Sequence, residues 1–142
     1  MGYLGNVNWW AILASTVACF AVGMAWYSPL LFAKPWCEAM GFDLNNKEKM
    51  DQMRKETGPK YFLAIVCSFI MAFMMAKVSG YLGLHTAFVG VKLGVALWFG
   101  FVATVQLTDV IFGFKKMSLW FINTGYQMVC YIITGVILCV WR

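Results

Sequence analysis

Residues 88–141 read FVGVKLGVALWFGFVATVQLTDVIFGFKKMSLWFINTGYQMVCYIITGVILCVW. They form two almost wholly apolar arms, which the pair Lys115-Lys116 separates. Each arm has about the 20 apolar residues that a helix needs to cross roughly 30 Å of hydrocarbon. The stretch therefore predicts a hairpin of two antiparallel membrane-spanning helices.

Composition extends this prediction to the whole chain of 142 residues. Hydrophobic residues make up 62% of the sequence and charged residues 12%, whereas a soluble domain carries about 25% charged residues. A soluble domain of this length buries only about 70% of the surface that its unfolded chain exposes, so it could not hide this much apolar surface from water. We therefore predict an all-α integral membrane protein, with four transmembrane helices in an antiparallel bundle that forms one membrane domain over residues 1–142.

The four predicted spans cover about residues 8–27, 61–76, 88–112 and 119–141. A cleaved signal peptide is the alternative for the first of them. No basic residue precedes the apolar run, and a signal peptide begins with such residues. We therefore interpret this stretch as a membrane span.

The connector at residues 33–59 is the one hydrophilic region of the chain. Apolar residues spaced by four predict a short amphipathic helix that ends at Gly41 or soon after. A second amphipathic helix is predicted from a cap at Asn45 to a stop at Gly58-Pro59. Both helices are expected to lie on the lipid headgroups, and a surface for docking a partner is the alternative.

Polar residues interrupt the two arms of the hairpin at what should be matching depths. Counting from the turn places Asp109 level with Asn123, and Gln106 level with Gln127 about one turn deeper. Hydrocarbon offers no water to satisfy such groups, so they need one another. One interpretation is a structural set of hydrogen bonds, with Asp109 hydrated or paired with a lysine of the turn. The other is a small-solute or ion path lined by Gln106, Asp109, Asn123, Tyr126 and Gln127.

Small residues recur every four positions in each predicted span. Such stripes let helix backbones approach closely in lipid, where hydrophobic burial does not drive helices together. The first span has Ala11, Ser15, Cys19 and Gly23, and the third has Ala96, Gly100, Thr104 and Thr108. The residues predicted for helix packing are Gly23, Ser68, Ala72, Gly100 and Gly135.

The distribution of basic residues predicts the orientation of the chain. The connectors after the first and third spans hold eight of them, whereas the opposite side holds Lys77, Lys92 and Arg142. The positive-inside rule then places the connectors in the cytoplasm and both termini outside it. The basic residues form no stripe with interleaved aromatic rings, so we expect no nucleic-acid partner.

The sequence carries few residues suited to catalysis or metal binding. His85 is the single histidine, and the sequence has no paired cysteine motif or second histidine that could complete a metal site with it. No Ser-His-Asp set or phosphate-binding glycine loop is apparent. We expect no metal, no cofactor and no enzymatic activity.

Two motifs resemble a known family. The first is Trp26-Tyr27-Ser28-Pro29-Leu30-Leu31-Phe32 followed by Lys34 and Trp36, and the second runs from Lys116-Met117-Ser118 to Ile122-Asn123-Thr124-Gly125-Tyr126-Gln127. They are similar to the end of the first helix and to the last helix of the small bacterial membrane proteins filed as domain of unknown function 1761. The resemblance covers residues 6–142 and makes Trp26, Tyr27, Ser28, Pro29, Lys34 and Trp36 an interfacial motif. It implies four spans in a bacterial inner membrane, and it implies no activity.

These observations together predict a protein that acts by helix–helix association. Its partners would be the lipid bilayer and either copies of itself or the subunits of a larger membrane complex. The alternative is a small-solute or ion channel or transporter built around Asp109.

Overall fold

A computed structural model gives the structure of residues 7–141. Arg142, which the charge count uses, and Asn6, where the family resemblance begins, lie outside these residues. Residues 7–141 contain helices and turns and no β-strand.

Helix α1 spans Trp9–Trp26. It begins at Asn8, whose side-chain oxygen accepts hydrogen bonds from the backbone nitrogens of Trp10 and Ala11 at 3.0 and 3.2 Å. It ends before Ser28-Pro29, because proline has no N–H to continue the helix. Local sequence signals therefore set both ends of this helix.

Helix α2 spans Ala33–Met40. It ends at Gly41, which has a φ of 80° in the left-handed region that closes many helices. The predicted short connector helix is present, and its end was predicted correctly.

Helix α3 spans Lys47–Tyr81 and corrects two predictions. Its cap is Asn46, whose side chain accepts from the Lys49 nitrogen at 3.2 Å, and not Asn45. The predicted stop at Gly58-Pro59 is wrong, because the helix passes through both residues. Proline removes one helical hydrogen bond, but this part of the helix is exposed, so water can satisfy the carbonyl group left free.

The continuous α3 is much longer than the second predicted span. Its 35 residues extend about 50 Å at about 1.5 Å per residue, against about 30 Å of hydrocarbon. The helix predicted separately between Asn45 and Gly58-Pro59 is therefore the first part of α3, whose segment 47–60 precedes the predicted span. The charged residues of this segment are exposed.

The third predicted span is helical from end to end but not uniformly α-helical. Helix α4 spans Ala87–Leu97, a π-helical segment spans Trp98–Ala103, and helix α5 spans Thr104–Phe112. The π segment was not predicted, since its hydrogen-bond pattern has no clear signature in hydropathy. After a turn through Phe114, whose φ is 51°, helix α6 spans Met117–Val140.

Among residues 7–141, four helical stretches are long and apolar enough to cross a membrane. Their ranges are Trp9–Trp26, Lys47–Tyr81, Ala87–Phe112 and Met117–Val140. Large apolar side chains, among them Phe62, Phe88 and Phe99, are exposed along these helices. A water-soluble monomer rarely leaves so much apolar surface uncovered. The exposed surface is therefore of the kind that faces lipid.

Helix α6 packs against α1, α3 and α4 and touches α2. The start of α1 lies at the end of α6, where the Asn8 side chain donates to the Trp141 carbonyl at 3.4 Å. The end of α1 lies beside Ile122, near the start of α6. A core cluster forms where α1, α3 and α6 meet, and its buried members are Ala11, Ile12, Ala72, Met75, Ala76 and Leu138.

Candidate functional site

The two motifs that carry the family resemblance contact each other across the α1–α6 interface. The Trp26 indole nitrogen donates to the Ile122 carbonyl at 3.0 Å. The edge of the same indole covers Gly125, where a Cβ would lie 3.1 Å from the Trp26 ring. Gly125 therefore provides the space that the Trp26 ring occupies.

A reciprocal contact lies beside this one. The Tyr126 hydroxyl group, on α6, donates to the Cys19 carbonyl of α1 at 3.1 Å. A Cβ at Gly23 would lie 3.1 Å from that hydroxyl oxygen. Each helix thus presents an aromatic ring to a glycine of the other, which fixes how the two helices are rotated against each other.

Tyr27 joins the two halves of this arrangement. Its hydroxyl group donates to the Asn123 side-chain oxygen at 2.8 Å. Its ring meets Tyr126 edge to face, with ring centroids 5.6 Å apart, and Trp36 of α2 meets it from the other side at 6.1 Å. We call Trp26, Tyr27, Asn123, Gly125 and Tyr126 the aromatic lock.

The remaining residues of the interfacial motif lie in the turn after α1 and in the first part of α2. The Ser28 hydroxyl group donates to the Ala25 carbonyl at 2.7 Å, and the Phe32 ring packs on Trp26 with centroids 4.8 Å apart. Pro29 and Lys34 are exposed. The turn therefore supports Trp26, and Pro29 of the turn and Lys34 of α2 are free to meet solvent or lipid headgroups.

A pair of buried thiols continues the α1–α6 contact. The sulfur atoms of Cys19 and Cys130 each lie near the carbonyl oxygen of the other residue, at 3.8 and 3.9 Å. The Cys19 sulfur also lies 3.4 Å from the Thr134 hydroxyl oxygen. These weak polar contacts satisfy groups that would otherwise be buried without a partner.

Chemistry outside the long helices is limited. Cys37 lies in α2 and is buried, and burial raises the pKa of its thiol, so the unreactive protonated form prevails at neutral pH. His85 is exposed in the turn before α4. Within residues 7–141, no group of three or more His, Cys, Asp or Glu side chains could hold a metal ion.

The polar residues of the hairpin are not brought together as one layer. Asp109 pairs with Lys115 at 2.6 Å, and its side chain is 63% exposed. Asn123 belongs to the aromatic lock. Gln127 lines a cavity beside α3, and Gln106 is not among the residues that line it.

The glycine contacts between α4 and α6 explain this separation. Gly90 touches Gly135, and Gly94 touches Tyr131, so continuing by one turn places Trp98 level with Gln127. Gln106 then lies eight residues further along its helix, or about 12 Å at about 1.5 Å per residue. The level at which two helices meet is set where glycines let their backbones touch, and counting from the turn does not give it.

Sequence reasoning missed Gly90 and Gly94. Both are buried, and a Cβ at Gly94 would lie 2.5 Å from the Tyr131 carbonyl oxygen. They are four residues apart, which is the Gly-x-x-x-Gly signal for close helix packing. That signal was available in the sequence, but the predicted stripe ran instead through Gly100.

Two further tryptophans tie the π segment to α6. The Trp98 indole donates to the Thr124 carbonyl at 2.8 Å, and the Trp120 indole donates to the Ala103 carbonyl at 3.0 Å. The donor of one bond and the acceptor of the other are the first and last residues of the π segment. Only the fold reveals these hydrogen-bond partners. From the sequence alone, a tryptophan in a membrane span is interpreted as a residue of the membrane interface.

The other predicted packing residues have varied surroundings. Ala72 is fully buried in the core cluster, and Ser68 lines the cavity beside α6. Gly100 is exposed, and a Cβ at this position would meet no atom within 4 Å.

The cavity lies between α3 and α6 and has a volume of about 200 Å³. Its lining contains hydroxyl, amide, thiol and thioether groups and no charged side chain. The lining residues are Ala64, Cys67, Ser68, Met71, Tyr126, Gln127, Cys130 and Tyr131. We call it the α3–α6 cavity.

Apolar helices of spanning length, packed through glycines and indole hydrogen bonds, define the class: by length and composition this is a multi-pass membrane protein. The chain belongs to the family described as Protein of unknown function (DUF1761), whose sequence model matches residues 10–139. That range includes both halves of the aromatic lock. No curated protein and no solved structure matches the chain.

Proposed function

We propose that this protein is an antiparallel four-span bundle that acts by helix–helix association, as a homo-oligomer or as an accessory subunit of a membrane complex. The associating surface is the outer face of α4 and α5 together with the π segment between them. Four small residues define this outer stripe, which consists of Ala96, Gly100, Thr104 and Thr108.

The observation that carries the proposal is the exposure of the whole outer stripe. All four residues are exposed. In α1, by contrast, Ala11, Ser15 and Cys19 are fully buried against the other helices. The small residues of the first span are packed against other helices of the chain, whereas those of the third span are uncovered.

The polar groups of the outer stripe do not hinder close contact with another helix. The hydroxyl groups of Thr104 and Thr108 donate to carbonyls of their own helix at 2.8 and 3.1 Å. No polar side chain of the stripe therefore needs water, and small residues let another helix approach closely in lipid. Exposed Phe99 and Phe101 beside the stripe would add apolar contact area at such an interface.

The proposal includes an orientation. The basic residues of the connectors after the first and third spans support a cytoplasmic position for those connectors, with both termini outside. They are Lys34, Lys47, Lys49, Arg54, Lys55, Lys60, Lys115 and Lys116. The family resemblance points to a bacterial inner membrane.

The test compares two alanine-to-leucine changes at exposed positions. Ala96→Leu adds bulk to the outer stripe, and Ala21→Leu adds the same bulk to an exposed position of α1. We expect Ala96→Leu to dissociate the oligomer or complex that the parent forms in mild detergent, and Ala21→Leu to leave it unchanged. Mass measurement of the purified particles decides between them, and Gly100→Leu provides a second change within the stripe.

Two results would contradict the proposal: a parent protein that is a monomer without co-purifying subunits, or an assembly that survives both changes in the stripe. Substitutions at Gly23 or Ala72 would not be informative, because Gly23 lies under Tyr126 and Ala72 lies in the core. Changes there would disturb the folded chain itself.

The alternative of a solute or ion path around Asp109 has less support. Asp109 is exposed beside the turn and its charge is paired with Lys115, so it is not the buried carboxylate that such a path needs. Unchanged flux in proteoliposomes after Asp109→Asn would remove this alternative.

A further inference from the structure

We propose that the α3–α6 cavity binds a small uncharged phenol that reaches it from the lipid phase. The proposal is independent of helix association, because the cavity and the outer stripe share no residue. It rests on the depth of the cavity, on three polar groups without protein partners, and on the absence of charge.

The cavity lies near the middle of the helices that form it. Gln127 follows the first residue of α6 by ten positions, which is about 15 Å of rise and about half of a hydrocarbon layer. Contacts hold α3 to α1 on both sides of this level, where Phe20 meets Tyr61 and Trp9 stacks on Phe73. The α3 residues that line the cavity, from Ala64 to Met71, lie between these two contacts.

Three hydroxyl or amide groups of the lining have no protein partner. The hydroxyl groups of Ser68 and Tyr131 and the amide of Gln127 make no hydrogen bond to any residue between 7 and 141. The Tyr126 hydroxyl group, in contrast, is already bonded to the Cys19 carbonyl. A primary amide offers two donors and one acceptor, and lipid tails can satisfy none of them.

The lining also fits a ring. Tyr131 presents an aromatic surface to the cavity, and Met71 presents a thioether, which packs favourably against ring edges. Ala64 has a small side chain that leaves room for a ring. No charged group is present to hold an ion or a phosphate. A phenol meets all of these conditions, since its hydroxyl group can donate to the Gln127 oxygen and accept from the Gln127 nitrogen or Ser68.

Size and access restrict the ligand further. The volume of about 200 Å³ corresponds to about seven water molecules at about 30 Å³ each. It is smaller than the roughly 300 Å³ at which sites for drug-sized ligands begin, so a single ring is the expected occupant. Ala64 and Cys67 are exposed, which leaves the cavity open toward the outside of the bundle.

The probe is para-fluorophenol, observed by fluorine NMR with the full-length protein in lipid nanodiscs. We expect saturable binding above the non-saturable partition measured in empty nanodiscs. Fluorobenzene has the same ring without the hydroxyl group and should show partition only. Partition without saturation for para-fluorophenol, or equal saturable binding of fluorobenzene, would overturn the proposal.

Two glutamine variants provide a matched pair. Gln127→Leu removes the amide from the cavity and should weaken para-fluorophenol binding by about fivefold or more, the effect of one lost hydrogen bond. Gln106→Leu makes the same change outside the cavity and should leave the affinity unchanged. Equal affinities in the two variants would contradict the assignment.

Ser68→Leu is the steric test, because it fills the cavity from the α3 side and should abolish saturable binding. Circular dichroism and particle mass establish that each variant is folded. If Gln127→Leu does not fold, the comparison of the parent with Ser68→Leu decides the matter, and binding that persists in Ser68→Leu rejects the site.

Discussion

The two sides of α6 are held by different kinds of contact. Toward α4, Gly135 and Tyr131 place their backbone atoms against Gly90 and Gly94. Toward α1, the contact is made by the side chains of the aromatic lock, through hydrogen bonds of 2.8 to 3.1 Å. At the glycines of the α4 side there is no side chain to move aside, whereas the contact toward α1 consists of side chains.

This difference determines what each interface can tolerate. A backbone cannot choose another rotamer, so an added methyl group on the α4 side has to separate two helices. An aromatic ring on the α1 side can lose a hydroxyl group and keep its packing. We therefore expect large effects from small changes on the α4 side and moderate effects on the α1 side.

The largest effect is expected for Gly94→Ala. The new Cβ would lie 2.5 Å from the Tyr131 carbonyl oxygen and 2.9 Å from the Ile132 Cα atom. We expect the free energy of unfolding to fall by about 3 kcal/mol, at the upper end of the usual cost of overpacking. Unfolding in mixed micelles titrated with sodium dodecyl sulfate measures it.

Gly100→Ala is the matched control in the same span. A Cβ there meets no atom within 4 Å, and alanine favours helix over glycine by about 0.5–1 kcal/mol. Stability should therefore stay level or rise slightly. Equal losses in Gly94→Ala and Gly100→Ala would show that the backbone contact with α6 is not what makes Gly94 intolerant of a side chain.

A moderate effect is expected for Tyr27→Phe. The change removes the hydroxyl group that donates to Asn123 and keeps the ring contacts with Tyr126 and Trp36. The loss should be about 1 kcal/mol, as for other hydrogen bonds between membrane helices. Tyr61 is a half-exposed residue whose hydroxyl group has no hydrogen-bond partner within residues 7–141, so Tyr61→Phe should cost nothing measurable by the same titration.

The smallest effect is expected for Asp109→Asn, which breaks the ion pair with Lys115 at the end of the hairpin. Both side chains are largely exposed, at 63% and 46%, and pairs of this kind contribute about 0–1 kcal/mol. The loss should disappear in about 1 M salt, where the screening length is about 3 Å. A loss that exceeds that of Tyr27→Phe and persists in salt would place Asp109 in a desolvated site instead.

Features set by neighbouring residues were the most predictable. The end of α2 at Gly41 was predicted correctly, because the signals that end a helix act over about one turn of chain. The stop predicted at Gly58-Pro59 was wrong, although it was also based on residues that commonly end helices. A proline stops a helix reliably only where the lost hydrogen bond cannot be replaced, and at the exposed Pro59 water can replace it.

The candidate site was only partly visible. The residues of the aromatic lock were singled out as two separate motifs, but nothing in their spacing showed that Trp26 lies on Gly125 or that Tyr27 donates to Asn123. The pairing expected for Asp109 and Asn123 relied on counting residues from the turn. The glycine contacts shift that register by several positions.

The sequence alone determined how many helices can cross a membrane and which local signals begin and end several of them. These properties depend on apolar content and on caps, which act within a segment. Only the tertiary structure decided the register of α4 on α6, the partners of the aromatic lock, the stripe left uncovered and the position of the cavity. These features arise where residues far apart in the chain meet, and the spacing along one helix does not specify which face of another helix it will touch.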